Sequence, residues 1–152
     1  MNKPTLKLFI FIIFTLILPT SNSYSRNFYV QKEVTCRENI CYFKNTTTPF
    51  HGELVTYDLN GKKHTSIQYK SGKKHGAQTY YYKDGKVSFV SYYDKGILNG
   101  NARSYFENGS TFEEVEYKDG LKEGPHRKYY EDGTLKEENF YNLIVHVQKH
   151  HK

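Results

Sequence analysis

Every glycine of this 152-residue chain lies in one of three columns spaced by 24. Residues 52, 76, 100 and 124 form the first, 61, 85, 109 and 133 the second, and 72, 96 and 120 the third. Two tyrosine columns keep the same step: Tyr57, Tyr81, Tyr105 and Tyr129, then Tyr69, Tyr93, Tyr117 and Tyr141. No insertion disturbs the frame. A fixed period of this length marks a repeat architecture, in which each unit buries its face only against its neighbours. There are three full copies and a partial first one.

Each copy reads as a β-hairpin. The second glycine column is always preceded by Asn or Asp, giving Asn60-Gly61, Asp84-Gly85, Asn108-Gly109 and Asp132-Gly133. These are preferred pairs for two-residue type I′ turns, whose central residues both need positive φ. Short runs such as AQTYYYK and KVSFVSY flank them, rich in aromatic and β-branched residues. DKGILNG and KDGLKEG then read as longer connections between hairpins. Sequential hairpins predict an all-β fold, an extended antiparallel meander growing as a solenoid-like single sheet over residues 50–141.

With Asp84-Gly85 as the loop, Tyr82 falls opposite Val87, Tyr81 opposite Ser88 and Tyr80 opposite Phe89, and opposed residues share a face. One face then carries Ile67, Tyr69, Tyr80, Tyr82, Val87, Phe89, Tyr93, Phe106, Val115 and Tyr117, with Tyr130, Leu135 and Tyr141 in the last copy. The other carries Tyr57, Tyr81, Tyr105 and Tyr129 with Val90, Tyr92, Phe112 and Phe140. The first is the more apolar and is expected to be the concave or covered side. On the second, the tyrosine column is either cross-strand packing or an exposed strip for binding a partner. A bulge at a glycine would exchange the faces.

The ends depart from the frame. Lys3 and Lys7, then LFIFIIFTLIL from Leu8 to Leu18, then the small polar residues of PTSNSYS, follow the order of a cleaved signal peptide, expected over residues 1–23. The apolar run is shorter than the roughly 20 residues of a membrane-spanning helix. Residues 24–49 are expected to cap the array and 142–152 to form a second cap or tail, with NLIVHVQ as a final strand. In an exported chain Cys36 and Cys41 of TCRENIC predict a disulfide across a tight hairpin. The expected compartment is the periplasm, the cell envelope or the exterior.

Without Lys3 and Lys7, 20 basic residues stand against 16 acidic ones, too mild a surplus for a nucleic-acid binder. The charge is instead segregated. Residues 44–99 hold nine lysines and four acids, and residues 100–141 hold six basic and ten acidic residues. His64 with Lys62, Lys63, Lys73 and Lys74 reads as a basic surface patch. No nucleophile motif or phosphate-cradling glycine loop is present, and the glutamates at 113, 114, 116, 137 and 138 read as solvated strand residues. No catalytic residue, metal ligand or cofactor is expected.

The unit Tyr-x-Asp/Asn-Gly-x3-Gly-x4-Tyr-Tyr/Phe-x-Asp/Asn-Gly, here Tyr117, Asp119, Gly120, Gly124, Tyr129, Tyr130, Asp132 and Gly133, resembles the variant MORN repeat. Copies beginning at Tyr93 and Tyr69 match with Lys95 and Ser71 in place of Asp119. Proteins built from this variant resemble the YwqK-type family, labelled as toxin–antitoxin antitoxins. The resemblance implies a β-meander that acts by binding. The function expected is an exported scaffold for a protein partner, antitoxin- or immunity-like. The alternative is an envelope-associated binder of glycan or lipid through exposed tyrosines.

Overall fold

A computed structural model describes residues 28–30 and 33–142. The expected signal peptide and the NLIVHVQ segment beyond Asn142 lie outside the described residues. Twelve strands follow in chain order: β1 (Phe28–Val30), β2 (Val34–Arg37), β3 (Ile40–Phe43), β4 (Gly52–Tyr57), β5 (Lys63–Lys70), β6 (Lys73–Tyr81), β7 (Val87–Asp94), β8 (Ile97–Leu98), β9 (Gly100–Tyr105), β10 (Thr111–Lys118), β11 (Leu121–Tyr129) and β12 (Leu135–Tyr141). From β4 onward successive strands pair antiparallel, except that β8 and β9 do not pair with each other but both with β7. This is the meander that the repeat predicts. At its first edge β1 adds parallel to β4, a pairing without a counterpart in the repeat.

The two kinds of turn are exchanged relative to the expectation. At Asp84-Gly85 the Gly85 N–H donates to the Tyr82 carbonyl at 2.9 Å, and the Tyr82 N–H donates to the Lys86 carbonyl at 2.8 Å. Gly85 has φ of 89°, while Asp84 is not left-handed. This is a three-residue loop, a type I turn closed by a left-handed glycine. The same bonds recur at Gly61, Gly109 and Gly133. The Asp84 carboxylate accepts the Lys86 N–H at 3.0 Å, an Asx turn that explains the acid or amide before the glycine. The two-residue I′ turns lie instead in the segments expected to be the longer connections. Lys95 and Gly96 have φ of 48° and 93°, and Asp94 pairs directly with Ile97. Ser71-Gly72 and Asp119-Gly120 repeat this geometry. Asp-Gly satisfies both turn types, so the dipeptide alone could not choose.

The face assignment survives the change of turn. A three-residue loop shifts the pairing by one, so Tyr81 lies opposite Val87 rather than Ser88. A bulge then restores the register, and Tyr80 meets Phe89 as expected. Near the loop the expectation fails: Val87 and Leu135, expected on the first face, lie opposite Tyr81 and Tyr129 of the second, and Phe106 and Phe112, placed on opposite faces by simple alternation, are in edge-to-face contact at 5.1 Å.

An inner face runs through Leu54, Ile67, Gln78 and Ser91, then Ala102, Val115 and His126. An apolar core covers only its first strands. There Cys41, Phe50, Leu54 and Tyr69 are buried, with Val34, Phe43 and Ile67 packed against them. The hairpin β2–β3 does not extend the large sheet. It forms its own two-stranded sheet, crosslinked by the Cys36–Cys41 disulfide, and lies on this face. Fully buried Phe50 meets the rings of Phe43 and Tyr69 at 5.2 and 5.4 Å. Farther along, the buried row continues as Gln78, Ser91, Ala102, Val115 and His126, too small and polar to hold a second layer.

Adjacent repeats are tied at both ends of the strands. The Gly72, Gly96 and Gly120 N–H groups donate to the carbonyls of Phe50, Lys74 and Leu98 at 2.8 to 2.9 Å. At the other end Lys62 and Lys86 ammonium groups and the Ser110 hydroxyl donate to the carbonyls of Lys83, Glu107 and Glu131. Each bond bridges one repeat to the next, so the array is held by local bonds along its whole length.

Candidate functional site

The outer face carries an unbroken cross-strand row: Val55, Ser66, Thr79, Val90, Arg103, Glu114, Arg127 and Glu138. Tyr57, Tyr81, Tyr105 and Tyr129 stand two residues along their strands from members of this row, so the column shares the face. Tyr57 is 54% exposed, and the other three are half-buried. Their surroundings differ. The Lys63 ammonium lies 5.0 Å from the Tyr81 ring centre and 3.6 Å from the Glu53 carboxylate. The Tyr129 hydroxyl donates to Glu114 at 2.8 Å.

The acidic half of the sequence is charge-paired on this face. Arg103 reaches Glu114 at 3.0 Å, Arg127 reaches Glu114 at 3.4 Å, and the Arg127 Nε donates to Glu138 at 2.6 Å. Burial alone would raise the Glu114 pKa. The hydrogen bonds from Tyr129, Arg103 and Arg127 outweigh it and hold the carboxyl below its ordinary range. Burial and the bond to Glu114 together push the Tyr129 phenol up. Two of the acidic residues of this half, Glu114 and Glu138, are therefore engaged in crosslinking strands, while its net acidic excess is unchanged. The tyrosine column runs from exposed Tyr57, beside which Val55 and Ser66 of the same face are buried, to a cross-braced end at Tyr129.

The expected basic patch is split. Lys62 and Lys63 stand at the loop end of β5, while Lys73 and Lys74 stand at the opposite, I′-turn end of β6. There Lys73 and Lys74 join Lys95 around a cavity of about 540 Å³ on the inner face, walled by Asn39 at the tip of the disulfide hairpin and by Tyr69 and Tyr93. The half-buried Lys74 ammonium donates to Gln78 at 2.6 Å and lies 4.9 Å from the Tyr93 ring centre. Burial pushes its pKa down. The 24-residue frame holds the one signal that could have found this site. Position 74 is equivalent to 50, 98 and 122, which read Phe, Leu and Lys. Phe50 stands on Tyr69 and Lys74 on Tyr93, while Lys122 stands 5.2 Å from the Tyr141 ring centre.

No curated protein matches the chain. A solved chain described as "Crystal structure of GtfA/B complex bound to UDP and GlcNAc" aligns at 13% identity and a TM-score of 0.33. The alignment covers 71% of this chain but only 23% of that one, and so weak a likeness carries no argument about fold or ligand. Residues 74–96, 98–119 and 122–143 match the family model described as MORN repeat variant, three consecutive matches in the frame that the glycines mark.

Proposed function

We propose that the chain is an exported repeat scaffold that binds a protein partner across its outer face, with Tyr57, Tyr81, Tyr105 and Tyr129 as the contact strip. One observation carries the reading: one ring recurs at each 24-residue step on one face of a sheet whose repeats are bonded to each other. Tyrosine offers a large contact area for little lost side-chain entropy. Repeats fixed relative to one another present that area already ordered, which lowers the cost of binding. A YwqK-type, antitoxin- or immunity-like role is the finer form of the same reading. Export is supported by the Cys36–Cys41 disulfide, since such bonds persist in oxidising compartments.

The test is affinity capture from the envelope fraction, with mass spectrometry, using the chain and a Tyr81→Ala/Tyr105→Ala variant side by side. A protein retained by the first and lost from the second supports the reading. Recovery of glycan or lipid without a protein, or equal capture by both chains, contradicts it. Raising the salt should weaken capture where it draws on the exposed Lys62 at the Tyr57 end of the strip.

A further inference from the structure

The inner-face cavity beside the disulfide hairpin is independent of the outer strip, and its chemistry is different. Three lysines, Lys73, Lys74 and Lys95, border it, and no carboxylate does so among the described residues. Lys74 is set in place from below. Its ammonium is bonded to Gln78, a residue only 5% exposed, whose amide in turn donates to the Tyr80 hydroxyl at 2.8 Å. One of its three donors is thereby used, leaving two for a ligand. Tyr93 and the half-exposed Ile97 give the cavity an apolar wall, and Asn39 gives it a polar rim from the opposing hairpin.

Beyond Tyr93 the same face continues into a smaller cavity of about 120 Å³ whose lining includes Ser91, Ser104 and Glu113, so the carboxylate of an anionic ligand belongs at the lysine end. Ser91 is 1% exposed, and both serine hydroxyls, without a hydrogen-bond partner among the described residues, are closed to solvent and form no part of the binding surface. The larger cavity thus offers a cationic end and a ring-sized apolar wall. An extended peptide fits it poorly. The strands beneath are interior ones, with their backbone groups already paired in the sheet, so a peptide backbone would find no ladder to join.

We propose that this cleft binds a carboxylate-bearing saccharide of the uronic-acid type, its carboxylate at Lys73, Lys74 and Lys95 and its ring against Tyr93 and Ile97. Lysines suit this role as adaptable point charges for one carboxylate on a flexible chain.

The test is calorimetric titration of the disulfide-intact chain with a galacturonic-acid tetramer. A neutral galactose tetramer, inorganic phosphate and a tetraglutamate peptide serve as comparison ligands. The expected result is saturable binding of the uronate, about tenfold or more tighter than the neutral tetramer, from charge-assisted hydrogen bonds. Lys74→Met keeps the apolar stem and should weaken it about fivefold. Lys95→Asn removes a charge while keeping a residue that favours the left-handed turn, so it should weaken binding while preserving the fold. Tyr81→Ala, on the outer face, should leave it unchanged. Four results would overturn the proposal: no saturable uronate binding, equal binding of the neutral tetramer, phosphate or peptide binding as tight as the uronate, or indifference to both lysine changes.

Discussion

Substituting alanine at Gly72 and at Gly96 separates the docking of the disulfide hairpin from the turn chemistry of the repeat. The two glycines are equivalent, 24 residues apart, each the second residue of an I′ turn with φ of 78° and 93°. Alanine in the left-handed region costs about 1–2 kcal/mol at either site. The surroundings differ. A Cβ on Gly72 would stand 2.5 Å from the Ile40 Cγ2 and 2.7 Å from the Cys41 carbonyl oxygen, whereas on Gly96 it would meet nothing closer than Lys73 at 3.8 Å. The Cys41 oxygen is backbone and accepts the Phe50 N–H at 2.8 Å, so it cannot turn aside. Overpacking of this kind adds about 1–3 kcal/mol. Urea unfolding should therefore show a loss of about 1–2 kcal/mol for Gly96→Ala and about 2–5 kcal/mol for Gly72→Ala. Equal losses at the two sites would refute the argument, because they would mean that the hairpin does not press on the Gly72 turn.

Other perturbations read other parts of the structure. Reducing the Cys36–Cys41 bond should lower stability by roughly 2 kcal/mol on the loop-entropy model, read from the urea midpoint with and without reductant. Asp132→Ala removes the acceptor of the Thr134 N–H and hydroxyl, bonded at 2.8 and 2.7 Å, and should cost about 1 kcal/mol in thermal or urea unfolding. Because folding depresses the Glu114 pKa, its stabilisation is present above the ordinary carboxylate range and is lost as pH falls through the folded-state value. Glu114→Gln should accordingly flatten the acid side of the stability–pH profile while lowering stability at neutral pH; an unchanged acid slope would contradict that.

The repeat and the assignment of most side chains to faces are legible in the sequence because both rest on strict periodicity. The legibility has a physical reason near Asp84. A three-residue loop and its adjoining bulge displace the register in opposite directions, so Tyr80 meets Phe89 with either turn. The turn types themselves are not legible. Asp or Asn before glycine serves an Asx-stabilised type I turn as well as an I′ turn, and Lys95 gives no sign of the left-handed conformation it adopts. Phe106 and Phe112 escape simple alternation because Phe112 sits in the displaced segment. The inner-face cavity is less legible still. It exists because residues 34–50 fold back onto the first repeats, a long-range packing with no periodic signature, and only then does Asn39 stand across from Lys74.

The outer-strip reading is tested most directly by tyrosine footprinting of the chain with and without its captured partner. Oxidative labelling should fall at Tyr81 and Tyr105 when the partner is bound, with Tyr93 and Tyr117 on the inner face unchanged. Protection confined to Tyr93 and Tyr117, with Tyr81 and Tyr105 labelled as in the free chain, would place the partner on the wrong side of the sheet and contradict the account.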